Sequence, residues 1–145
     1  AHGFVRFTND VDLIVDLEER NFLKAVRALA SLGYRPLVPV ELEEFASESS
    51  RRRWIDEKGA MVLQLYSDEH PQTRIDLFLE LPLDFEQAFE RCCTREAAAG
   101  IEVPFVGLDD LIEMKRKAGR PHDQLDAQKL EDLRDQGRGG RRPGD

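Results

Sequence analysis

From Ile75 to Glu80 the chain alternates strictly, with Ile75, Leu77 and Leu79 interleaved by Asp76, Phe78 and Glu80. Successive residues of an extended chain project to opposite faces, so this period of two describes a strand with one apolar and one largely polar face. A strand of that kind belongs in a sheet covered on one side only. It is expected over residues 73–79, and it faces an aspartate away from the side that packs.

A second apolar run, Val11, Leu13, Ile14 and Val15, predicts a strand over 11–15, with Asp10 and Asp12 at its mouth and pointing the same way. Between 18 and 32 the residues Phe22, Ala25, Val26, Leu29 and Leu32 recur at helical spacing, and Gly33 supplies the stop. Pro36 and Pro39 make 34–40 a loop or edge strand, and 41–50 reads as a short polar helix leading into a mobile loop. A hairpin is expected from 52–56 and 60–66, turning near Lys58-Gly59. Asp84 with Gln87 three residues on is a capping-box pattern that opens a helix of about two turns. Residues 101–106 suggest a strand, 108–118 a helix, and 121–135 a last helix with Pro121 in its first turn. The Gly- and Arg-rich stretch 136–145 is expected to be disordered. Together these elements predict an α/β (α+β) fold: a mixed, mostly antiparallel sheet flanked by helices.

At 145 residues and 41% hydrophobic content the chain suits one domain with a real core. No 18 apolar residues run together, and no basic segment followed by an apolar one opens the chain, so neither a membrane span nor a signal peptide is expected and a cytoplasmic setting is. The net charge of -8 disfavours broad, sequence-independent binding to nucleic acid but leaves room for a local basic site. Cys92 and Cys93 are adjacent, which excludes a loop-closing disulfide between them and a spaced zinc set, and they read as reduced core or helix residues. His70 and His122 have no second histidine at ligand spacing. The run "RRRW", residues 51–54, reads as an exposed strand edge with Trp54 packed.

Asp10 and Asp12 admit a plain reading, an Asx turn in "TND" ahead of a solvated strand edge. Asp76 adds a third carboxylate if its strand lies beside the first. Three uncompensated anions at about 4 Å repel by several kcal/mol, so such a cluster calls for a divalent cation or a shifted pKa, and oxygen ligands alone favour magnesium. Lys115 is the second anomaly, because Leu108, Leu111, Ile112, Lys115 and Ala118 share one helix face while Glu113 and Lys117 lie opposite. It either snorkels to water or holds its charge for a phosphate. Asp123 and Asp126 fall on the same side as Ala127, Leu130 and Leu133, pointing charge inward or simply serving the helix dipole, and Arg120 is placed to pair with either.

The pattern "RFTNDVDL…TRIDLF…GLDDLIEMKRKAGRPHDQLD" resembles the nucleotidyltransferase superfamily with a DNA polymerase β-like core, and looks closest to the AbiEii-type abortive-infection toxins and minimal nucleotidyltransferase proteins. The resemblance covers roughly residues 3–133. It implies that Asp10, Asp12 and Asp76 are the catalytic, magnesium-holding carboxylates. It implies further that Arg6, Thr8, Lys115, Arg120 and Asp123 attend the nucleotide, with Asp126 in the same late segment. The implied reaction is magnesium-dependent transfer of a nucleoside monophosphate from an NTP to an acceptor hydroxyl on RNA, a protein or a small molecule, as in a toxin–antitoxin component. The superfamily sets a Gly-Gly or Gly-Ser turn roughly ten residues before the Asp pair to grip phosphates. Here Gly3 stands alone seven positions before Asp10, so the domain, expected over 1–135, is expected to lack that motif. The rival expectation is a catalytically inactive nucleotidyltransferase-like binding or antitoxin module.

Overall fold

A computed structural model describes residues 10–139. The fold is mixed α/β. Among the described residues it holds a four-stranded, mostly antiparallel sheet, a separate two-stranded sheet and five α-helices. The chain divides into two compact units, one ending at Leu81 and one beginning at Pro82.

The first unit is the larger sheet and its cover. Strand β1 (Asp10–Leu13) leads into helix α1 (Glu19–Ser31), and the short strand β2 (Arg35–Pro36) leads into a 3-10 turn (Leu42–Ala46) and helix α2 (Glu48–Lys58). Strands β3 (Val62–Tyr66) and β4 (Arg74–Phe78) complete the sheet in the order β1-β4-β3-β2. Phe22, Val26 and Leu29 of α1 meet Leu63, Leu65, Ile75 and Leu77 of the sheet and Leu79 just beyond β4, with Leu42 and Phe45 of the 3-10 turn closing the same core. The apolar half of the 75–80 alternation is therefore the half that packs. Glu18 caps α1 by accepting from the Asn21 amide at 3.0 Å. Gly33, at φ +78°, follows this helix, and a Cβ there would stand 2.9 Å from Ser67 Oγ.

Residues 52–56 are helix, not the first arm of a hairpin. Arg51, Trp54, Ile55 and Lys58 recur at helical spacing, but an arginine fills the innermost place of that stripe and hides the period. Arg51 is 6% exposed. Its guanidinium donates to the carbonyls of Phe45 (2.7 Å), Ala46 (2.8 Å) and Leu17 (3.2 Å) and lies 5.4 Å from the Phe22 ring. Gly59, at φ +64°, ends α2 as its left-handed cap, so Lys58-Gly59 closes a helix instead of turning a hairpin. The expected mobile loop near residue 50 is likewise the start of this helix.

In the second unit helix α3 (Phe85–Glu90) starts at Asp84, whose carboxylate accepts from the Gln87 amide at 2.9 Å as the capping pattern predicts. Strand β5 (Cys93–Ala98), which the sequence reading lacks, pairs antiparallel with β6 (Ile101–Phe105). Cys92 and Cys93 are half-buried at its start and form no disulfide with each other, and they are neither helical nor in the core. Helix α4 (Leu108–Ala118) matches its expected bounds, and α5 (Pro121–Gly139) runs past residue 135, so the first part of the expected disordered tail is helical. Residues 140–145 lie outside the described part. Ile112, Ala127 and Leu130 form the core between α4 and α5, with Leu108 and Leu111 packed on it. Arg91 clamps Asp110 in the first turn of α4 at 2.7 and 3.2 Å. Among the described residues no helix is long and apolar enough to cross a membrane.

Candidate functional site

The register of β1 on β4 decides where the aspartates go. The two strands are parallel and pair Asp10 with Arg74, Val11 with Ile75, Asp12 with Asp76 and Leu13 with Leu77. Paired residues of neighbouring strands project to the same face. Ile75 and Leu77 are buried in the core, which sends Asp76 to the opposite face together with Asp12, Asp10 and Arg74. β3 extends the arrangement, since Gln64 pairs with Asp76. Asp12, Asp76 and Gln64 thus stand in one row across three strands.

Neighbouring strands are about 4.8 Å apart and residues two apart on a strand about 7 Å, so Asp12 and Asp76 are side by side and Asp10 is one pleat upstream. Asp10 and Asp12 are exposed and Asp76 is half-buried. Each of the three engages a neighbouring group. Hard carboxylate oxygens are the donors magnesium takes, and the donor chemistry of the row fits that ion. Among the described residues no three His, Cys, Asp or Glu side chains gather tightly enough to hold an ion between them. Arg6 and Thr8, the other residues expected near the aspartate pair, lie outside the described residues.

Two hollows open in this unit. One, of about 380 Å³, is bordered by Tyr34, Arg35, Pro36 and Val40 beside the sheet edge. The other, of about 260 Å³, lies between α2 and the end of β4, where Arg52 approaches Glu80 at 3.5 Å. Neither is lined by Asp10, Asp12 or Asp76.

The second unit brings together the late-helix residues. Asp123, 1% exposed, accepts from Arg120 Nε at 2.6 Å and from Lys115 Nζ at 3.4 Å, and His122 Nε2 stands 3.6 Å away. Asp126, also buried, lies 3.8 Å from the same ammonium. Burial by itself pushes the Asp123 carboxyl up, but the Arg120 hydrogen bond and charge, with Lys115 behind them, hold it below the ordinary aspartate value. Lys115, half-buried, thus carries its charge beside two buried carboxylates. The Glu113–Lys117 pair on the far side of α4 spans 2.8 Å at the surface, as its spacing predicts.

Sequence reasoning overlooked Gln64 and Arg74. Arg74 was findable, because it sits two residues before Asp76 and so shares its face. Gln64 was not, because its alignment with Asp76 exists only once the β3–β4 register is known. No protein-family model and no curated protein matches the chain.

Proposed function

We propose that this protein is a magnesium-dependent nucleotidyltransferase of the cytoplasm, moving a nucleoside monophosphate from an NTP to an acceptor hydroxyl. The observation that carries the reading is the pairing of Asp12 with Asp76 on parallel strands, with Asp10 on the same face. Asp10 and Asp12 would hold magnesium against the triphosphate, and Asp76 would share the ion on the acceptor side. Bound there, magnesium supplies charge neutralisation and Lewis acidity at the phosphates. The acceptor oxygen forms a bond to the α-phosphorus as the bond to pyrophosphate breaks, and the hydroxyl proton leaves to an Asp76 carboxylate oxygen. The roles that resemblance gives Lys115, Arg120 and Asp123 belong to the second unit and are tested there by separate substitution.

Thermal melts of wild type and Asp12→Asn, with and without millimolar magnesium and NTP, test the reading. A ligand bound only to the folded state stabilises it by about 2.7 kcal/mol at a hundredfold excess over its Kd. Magnesium with NTP should raise the wild-type melting temperature. Asp12→Asn, with one carboxylate ligand lost, should respond much less to magnesium with NTP. Equal responses in both proteins would remove Asp12 as a ligand and favour an inactive binding module.

A further inference from the structure

The smaller hollow of the first unit sits where two parallel strands end. Leu17 belongs to the connection that leaves β1, Leu79 and Glu80 follow β4, and Glu48, Arg51 and Ile55 come from one face of α2. Because β1 and β4 are parallel, both of these ends are carboxyl ends, and the crevice outside such ends is where open α/β sheets take ligands. The walls are fixed from within the unit. Arg51 Nη2 donates to the Leu17 carbonyl at 3.2 Å, and the Leu79 amide donates to the Met61 carbonyl at 2.8 Å. At about 260 Å³ the hollow is smaller than those that take drug-sized ligands, about 300–1,000 Å³, and suits a small metabolite.

Its charges are left half answered. Arg51, buried as it is, has no carboxylate in ion-pair contact among the described residues: burial works against its charge, and Glu48 and Glu19 support it only from beyond contact. Both N–H groups of Nη1 and one of Nη2 go to carbonyls, leaving Nε–H and the second N–H of Nη2. Arg91 presents the same two nitrogens to Asp110 as a bidentate fork. Arg51 Nε is not sealed inside the protein. Nearby, Arg52 and Glu80 answer each other, so the second unmatched charge of the hollow is Glu48, which is exposed and forms no ion pair among the described residues. The remaining wall, Leu17, Ile55 and Leu79, is apolar.

We propose that this hollow binds a free apolar α-amino acid such as leucine, its carboxylate on the Arg51 fork, its ammonium at Glu48 and its side chain against Leu17, Ile55 and Leu79. Charge selects the class. A simple anion satisfies Arg51 but meets Glu48 and Glu80, and a simple cation satisfies Glu48 but meets Arg51. An α-amino acid carries both charges on one carbon and answers the two unmatched groups together. The carboxylate takes the planar, two-toothed contact that a guanidinium is shaped for, away from bulk water where such a bond is strongest. The site is separate from the transferase reading, because Asp10, Asp12 and Asp76 do not line it.

The full chain is dialysed to equilibrium against radiolabelled L-leucine into the millimolar range, in EDTA and without nucleotide. Saturable uptake of one leucine per chain is expected. Isovalerate, which lacks the ammonium, and isoamylamine, which lacks the carboxylate, should each compete at least about tenfold more weakly, the loss of one charge-assisted hydrogen bond. Glu48→Gln should weaken leucine binding about tenfold. Arg51→Lys keeps the charge but not the fork and should weaken it similarly. Because that change also loosens the fold, Glu48→Gln, made on an exposed side chain, decides the matter by itself. Absence of saturable uptake, isovalerate competing as well as leucine, or wild-type affinity in Glu48→Gln would each overturn the proposal. With neither magnesium nor NTP present, none of these outcomes bears on the melts that test the transferase.

Discussion

Arg120 and Asp123 form an ion pair of unequal partners: the guanidinium is 67% exposed, the carboxylate it meets at 2.6 Å is 1% exposed. The pair, with Lys115, holds Asp123 below the ordinary value of 3.8 to which it returns in the unfolded chain. A group of this sign contributes all of its stability above the unfolded value and loses it as pH falls through the folded one. The melting temperature should fall as the solution is acidified below about pH 4. Asp123→Asn should be less stable than wild type at neutral pH and decline less steeply over that acid range. Parallel acid limbs in scanning calorimetry would remove Asp123 as the source.

Lys115→Met retains the stem that packs in the α4 stripe but leaves Asp123 and Asp126 with less positive charge between them. Arg120 stays on Asp123, and Lys115 is partly exposed, so the loss is smaller than for a fully buried pair. A destabilisation of about 1–2 kcal/mol is expected by denaturant titration. Adding Asp126→Asn should recover part of it. If Lys115 instead served a phosphate alone, the single variant would fold as stably as wild type and lose only NTP affinity.

Arg51 joins the 3-10 turn, the end of β1's connection and α2 through three carbonyls. Arg51→Met should unfold about 2–4 kcal/mol more easily, since those buried acceptors lose a charged donor. Arg51→Lys should recover less than half of this, because a single ammonium lacks the planar fork that reaches several carbonyls at once. Full rescue by lysine in urea unfolding would mean that charge, not geometry, is what the site needs.

Legibility followed chemistry as much as periodicity. The alternation at 75–80, the capping pair Asp84–Gln87 and the stripe Leu108–Lys115 were readable because each repeats a local geometry within a few residues. The lysine stands out of place in that apolar stripe, and the structure gives it two buried partners. Arg51 produced the opposite result: a charged residue at an inward position disguised a helix as a strand. β5 escaped notice because Thr94, Arg95 and Glu96 are all exposed and carry no apolar period. Of the candidate site, the aspartates themselves were visible in sequence, whereas the row that aligns them with Gln64 depends on strand register alone.

That register has a kinetic corollary. β1 and β4 are parallel neighbours, yet Asp12 and Asp76 are separated by the helix, turn and hairpin partner that lie between them in the chain. Parallel partners need a long crossover, and closing it becomes favourable only when the intervening segments have already condensed. The carboxylates of Asp12 and Asp76 are therefore brought side by side only when β4 docks on β1. A chain still emerging from the ribosome, with β4 unmade, has no such row, and the chemistry proposed for it switches on only with completion of the sheet.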